Sequence, residues 1–116
     1  MNQTTLWIAV IIVAGVVFYA LRAAGKDTST AKEKIKQGAL VLDVRTAGEF
    51  AGGHYDGAVN IPVQELKKRV SELGATNRAV VVYCAAGVRA ASAKKILLSA
   101  GFNDVTNAGG LSDLQK

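Results

Sequence analysis

The sequence predicts an α/β domain built on a mainly parallel sheet and preceded by one apolar N-terminal segment. Three observations predict it: a run of sixteen uncharged residues from Leu6 to Leu21, short apolar runs that alternate with helix-like periodicity, and a nearly pure β-branched run, AVVVYC, at 79–84. A run of that last kind suits a central parallel strand covered on both faces. Strands alternating with helices put the expected ligand site at the carboxyl ends of the strands.

The N-terminal run sets the domain organisation. Extended over Thr4, Thr5, Ala23 and Ala24, it gives about 30 Å of helix at about 1.5 Å per residue, the thickness of a hydrocarbon core. Trp7 and Tyr19 stand towards its two ends, as interfacial aromatics do. A cleaved secretory signal is the competing reading. It fits less well, because MNQTT carries no Lys or Arg and ALRAAGKD offers no small-x-small cleavage site. Apolar residues surround the whole helix instead of forming a stripe, which argues against a buried core helix. Arg22, Lys26, Lys32, Lys34 and Lys36 all follow the run, so positive-inside bias puts the C-terminal part in the cytoplasm. The expectation is an uncleaved single-pass anchor in the inner (plasma) membrane over 1–25, a linker over 26–29, and one soluble domain over 30–116.

Within that domain the elements follow in order. Thr30 and Glu33 make a capping-box pattern that opens a short helix ending before Gly38, and ALVLDV at 39–44 reads as a buried strand. Thr46 and Glu49 make a second capping box, so a short helix follows directly. After the Gly-rich turn AGGHYDG, residues 58–61 suggest another strand, and Pro62 opens the next helix. Val63, Leu66, Val70 and Leu73 recur on one face of that helix, and Gly74 stops it. The strand at 79–84 leads to a helix from about Val88 to Ala100, with Gly101 as its stop and a last short strand at 104–107.

Composition excludes several classes. A single Cys excludes an internal disulfide framework, and one Cys with one His cannot supply the ligands of a typical zinc site. The net charge of +5 raises the question of nucleic acid, but the basic residues are scattered. Lys67, Lys68 and Arg69 form a solvated helix face with no interleaved aromatic, unlike a single-strand binding platform. No nucleic-acid partner is expected.

The chemistry converges on Cys84, the last residue of the central strand, followed by the loop CAAGVR. Gly87 lets the backbone curl with successive N–H groups pointing inward, the helix start adds its positive dipole end, and Arg89 supplies a cation. Such surroundings favour the thiolate, the nucleophilic form of a cysteine. A buried, inert cysteine is the alternative from strand-end position alone.

Four blocks shift that balance. DVRTAGEF (43–50), GHYDGAVNIP (53–62), YCAAGVRA (83–90) with the later AGF of 100–102, and AGG (108–110) occur in an order and spacing similar to the rhodanese-homology family. The resemblance covers about Thr30 to the C-terminus. It implies a rhodanese fold with a five-stranded parallel sheet flanked by helices, and a persulfide on Cys84. It further implies that the loop residues Ala85, Ala86, Gly87, Val88 and Arg89 bind the donor anion. Cysteine-dependent phosphatases place Arg six positions after Cys, whereas Arg89 is five after Cys84. The tighter loop favours sulfur over a phosphoryl group.

By that resemblance the chain is a thiosulfate sulfurtransferase-like enzyme, in which Cys84 takes the outer sulfur of thiosulfate or a related donor and passes it to a thiol or to cyanide. No metal or organic cofactor is required. The rival is a carrier or docking module at the membrane that turns over no free donor, and Ala85 and Ala86 lend it weight, because many active relatives carry a cationic or polar residue after the cysteine. Leu114 also stands where the family usually has an aromatic. His54 is read as shaping a turn, not as a base. Asp43 and Arg45 are read as structural, with Arg45 pairing Glu49. Gly109 and Gly110 are read as permitting a tight turn.

Overall fold

A computed structural model describes residues 2–116, with residues 17–24 described by their backbone alone. Four parallel strands form one sheet: β1 (Leu40–Asp43), β2 (Val59–Asn60), β3 (Val80–Cys84) and β4 (Val105–Gly110), in the order β2-β1-β3-β4. Helices α1 (Gln3–Ala24), α2 (Thr28–Lys36), α3 (Ala47–Ala51), α4 (Val63–Arg69), α5 (Val88–Ser99) and α6 (Leu111–Leu114) precede, connect and follow them. All five residues of β3 are buried, as the β-branched run predicts for a strand with neighbours on both edges and cover on both faces.

The period-two alternation of β3 separates two apolar layers. Val80, Val82 and Cys84 pack with Leu42, Ile61, Leu66, Ala93 and Leu97 on the face covered by α4 and α5. Val81 and Tyr83 pack with Val41, Ala31, Ala108 and Leu114 on the face covered by α2 and α6. Each fully buried Leu or Val contributes roughly 1.5–3 kcal/mol relative to exposure. Leu114, in the place of the family's aromatic, is buried in this second layer.

Register fixes the end of β3. Val80 to Val82 stand opposite Val105 to Asn107 in sequence, but Cys84 stands opposite Gly110, so β4 carries one extra residue there. The irregularity bends the end of β4 beside the cysteine, as a bulge does.

The first capping box is a correction. Thr30 is not the cap: the Asp27 carboxylate accepts from the Thr30 backbone N–H at 3.1 Å and from its hydroxyl at 2.8 Å, so α2 starts at Thr28. The second box stands as expected, with Glu49 N–H donating to Thr46 Oγ1 at 3.1 Å and Thr46 N–H to Glu49 Oε1 at 3.2 Å. The five-stranded sheet is a second correction. Among the described residues the sheet has four strands, and beside β4 the Asp27 N–H donates to the Asn107 carbonyl at 2.7 Å before the chain turns into α2.

The run expected to span a membrane lies in α1. Among the described residues no helix is long and apolar enough to cross a membrane. The fold therefore does not support the spanning expectation. The side chains of Tyr19 and Arg22, on which part of it rested, lie outside the described residues.

Candidate active site

The loop from Cys84 to Arg89 joins β3 to α5. Cys84 is a free thiol at 1% exposure, yet its neighbours Ala85 and Ala86 are exposed, so the sulfur sits just beneath an open loop. Cys84 Sγ accepts from the backbone N–H of Gly87 at 2.9 Å and of Ala90 at 3.4 Å. Gly87 holds φ +101°, a left-handed conformation that turns its N–H back towards the sulfur and costs an L side chain about 1–2 kcal/mol. It also serves as the N-cap residue of α5, so the sulfur faces the positive end of a twelve-residue helix.

The end of β4 supports the loop from behind. Asn107, buried at the end of the regular part of β4, donates from Nδ2 to the Gly87 carbonyl at 3.2 Å and accepts from the Gly109 N–H at 2.9 Å. Gly109 lies within β4, not in the tight turn expected of it; it has φ +91°, and its α-carbon lies where a β-carbon on Gly87 would meet it at 3.3 Å. Gly110 makes a close approach instead: a β-carbon there would overlap the Ala85 carbonyl oxygen. Asn107 was missed by sequence reasoning, since a lone Asn at a strand end carries no spacing signal.

Arg89 does not extend freely over the loop. Its Nη1 donates to Glu49 Oε1 at 2.6 Å and its Nη2 to Glu49 Oε2 at 3.0 Å. The bonds to Arg89 and, next, to the Thr46 backbone hold the Glu49 carboxyl down to about 2. In return the hydrogen bonds to Glu49 raise the Arg89 guanidinium. The capping box identifies Glu49 as the partner of the Thr46 cap; nothing in the sequence identifies its bond to Arg89, forty residues away.

The expected Arg45–Glu49 pair is the third correction. Arg45 instead meets Asp43, with Nη2 at 2.7 Å and Nε at 3.1 Å, and donates to the Gly53 carbonyl at 2.7 Å. The Tyr83 hydroxyl donates to Asp43 Oδ2 at 2.7 Å and accepts from the Tyr55 N–H at 3.0 Å. Asp43 is fully buried, and Glu49, on the exposed start of α3, is committed to Thr46 and Arg89. This network lies on the face of β3 opposite to Cys84. His54 is exposed, stacked on Phe50 with ring centroids 3.7 Å apart, and its Nδ1 is 2.9 Å from the Phe50 carbonyl.

Val88 is 77% exposed at the loop tip, beside an open cleft of about 410 Å³ lined by Lys26, Ala86, Gly87, Val88, Ser92 and Lys95. Among the described residues no cluster of three His, Cys, Asp or Glu side chains could hold a metal ion. The arrangement suits a sulfur nucleophile whose negative charge is held by oriented backbone N–H groups and a helix start.

Comparison with known proteins agrees with this geometry. Residues 27–116 match the family model described as a rhodanese-like domain. The thiosulfate sulfurtransferase PspE of Escherichia coli is 42% identical over 74 residues, 63% of this chain and 71% of that protein. Thiosulfate sulfurtransferase 18 of Arabidopsis thaliana is 37% identical over 97 residues, covering 72% of this chain and 71% of its own length. Among solved structures, a rhodanese with anions from E. coli superposes with a TM-score of 0.62 at 41% identity, over 65% of this chain and 89% of that one.

Proposed function

The chain belongs to the rhodanese-like family, and on that premise we propose that it transfers sulfane sulfur through a persulfide on Cys84. The observation that carries the reading is the pair of backbone N–H groups, from Gly87 and Ala90, aimed at Cys84 Sγ. Donors so placed stabilise a thiolate and, one atom further out, the terminal sulfur of a persulfide.

With thiosulfate, the Cys84 thiolate attacks the outer sulfur, the S–S bond of the donor breaks, and its electron pair leaves with sulfite. The new S–S bond leaves the negative charge on the terminal sulfur of Cys84–S–S⁻. A thiol or cyanide then takes that sulfur and regenerates the thiolate, a ping-pong sequence. The N–H groups of Ala85 to Arg89 bind the donor anion, and neither metal nor organic cofactor takes part.

The test is intact mass. The full chain, incubated with thiosulfate in the absence of reductant, is expected to gain one sulfur atom, and Cys84→Ser none. A folded parent with a free thiol that gains nothing would move the reading to the second one, a sulfur carrier or docking module charged by a partner protein. Ala85 and Ala86 favour that second reading, because neither offers a side-chain donor to a small anion.

The proposal includes a membrane setting, with α1 as a single-pass anchor in the inner membrane and the domain on its cytoplasmic side. Its support is the uncharged run Leu6 to Leu21, the basic residues that follow it, and the exposure of every large apolar side chain from Leu6 to Val16, a surface that needs cover. A thiol reagent that cannot cross membranes should spare Cys84 in intact cells; efficient labelling would overturn the cytoplasmic placement.

A further inference from the structure

We propose that Glu49 sets the charge of the donor this loop accepts, offsetting Arg89 so that singly charged sulfane donors are used in preference to thiosulfate; this rests on the sulfur-transfer reading above.

Arg89 is the one cationic side chain between Cys84 and Arg89, and Ala85 and Ala86 add only methyl groups. Its two terminal nitrogens each spend a bond on Glu49, at 2.6 and 3.0 Å. Glu49 is itself fixed from the other side, by the Thr46 N–H at 3.2 Å and the Thr46 hydroxyl at 3.1 Å. The pair is therefore a held contact between α3 and the start of α5, not two free side chains that happen to meet. Glu49, held down to about 2, is ionised at any pH at which a thiolate could work.

Apart from the Cys84 sulfur, the loop and Glu49 thus carry no net side-chain charge. Lys26 and Lys95 line the cleft against Ala86 to Val88, which Cys84 does not line, and Lys26 already faces Asp113 at 3.6 Å. An anion at Cys84 is held chiefly by oriented N–H groups, which serve one negative charge well. Coulomb energy scales with the charge of the anion, so the Glu49 carboxylate penalises a dianion twice as strongly as a monoanion in the same place. Glu49 touches no donor atom; it is a positioning residue that acts through Arg89.

Two donors of similar size isolate the effect. Thiosulfate carries two charges and methanethiosulfonate, CH3–SO2–S⁻, carries one. With the second, the Cys84 thiolate attacks the terminal sulfur, the donor S–S bond breaks with its electron pair leaving on methanesulfinate, and the same Cys84 persulfide anion forms.

The experiment measures kcat/KM for each donor in the full chain, with cyanide as acceptor, for the parent, Glu49→Gln and Glu49→Asp. The parent should favour methanethiosulfonate. Glu49→Gln should raise the thiosulfate value about fivefold, the upper range for a partly exposed ion pair, and the methanethiosulfonate value only about twofold, because half the charge is involved. Glu49→Asp keeps the charge and should stay within about twofold of the parent for both donors. Loss of activity with both donors in both variants would assign Glu49 a purely structural role and overturn the proposal, as would equal shifts for the two donors. Absence of any sulfur gain on the parent from either donor would overturn the sulfur-transfer reading itself, an outcome distinct from persulfide formation without charge discrimination.

Discussion

The α-carbon of Gly110 lies against the carbonyl oxygen of Ala85, leaving no room for a β-carbon between them. The approach follows from the extra residue that β4 carries opposite Cys84, and it presses the end of β4 onto the loop that holds the sulfur. The glycine is needed for space, since its backbone, at φ −99°, is one that any residue can adopt.

Gly110→Ala should therefore push the loop off β4. Forced overlap with backbone costs about 1–3 kcal/mol, and sulfur transfer should fall by more than the stability loss explains, because the displaced carbonyl belongs to the anion loop. Urea unfolding beside a thiosulfate-to-cyanide assay measures both. Gly48→Ala is the control: its β-carbon would meet nothing closer than Thr46 Oγ1 at 4.0 Å, so it should be neutral or stabilise α3 by up to about 1 kcal/mol.

Asp43 is the centre of the buried network. Asp43→Ala removes the partner of Arg45 and of the Tyr83 hydroxyl together, leaving an arginine side chain at 9% exposure without its carboxylate. Breaking a buried pair from one side costs about 3–5 kcal/mol, so the variant should unfold at markedly lower urea concentration. Replacing both charges, Asp43→Asn with Arg45→Met, should recover part of that loss; a double variant worse than the sum of the singles would count against this account.

How much of this was readable before folding depends on the kind of contact. Period-two alternation and the Thr46–Glu49 box are local, so the central strand, the Cys84 position and the cap of α3 could be read directly. Thr30 and Glu33 satisfied the same box pattern and lost to Asp27, whose carboxylate sits closer to the helix start. The Glu49–Arg89 and Asn107–Gly87 bonds join residues forty and twenty apart, and no periodicity announces such pairs. The fifth strand rests on resemblance alone, and among the described residues the chain beside β4 bonds from Asp27 N–H to the Asn107 carbonyl and then enters α2.

Tyr83 gives an alkaline signature. Burial first, and then the hydrogen bond to Asp43, push its hydroxyl up to about 12 from an ordinary value of 10.0. Between those values the folded chain keeps a proton that the unfolded chain has lost, so stability contributed by the neutral tyrosine is present below about pH 10 and lost as pH rises towards 12. Subtracting the stability profile of Tyr83→Phe from that of the parent should expose this fall. A flat difference across that window would show that the hydroxyl titrates alike in both states.

Glu49 gives the opposite signature in acid. Its carboxyl, ordinarily near 4.5, is held down to about 2, chiefly by Arg89 and next by the Thr46 backbone. Above about pH 4.5 both folded and unfolded chains have it ionised, and the full contribution of the Arg89 pair is present. As pH falls from there towards 2, the unfolded chain takes up the proton first, so the contribution shrinks and is gone once the folded carboxyl is protonated as well. Because the group is partly open to solvent, salt should weaken the effect without abolishing it. Unfolding midpoints of the parent and Glu49→Gln should therefore differ by a constant amount from pH 7 to about 5 and converge below it. Convergence only above pH 5, or a gap that widens in acid, would mean that the Arg89 pair is not what holds Glu49 ionised.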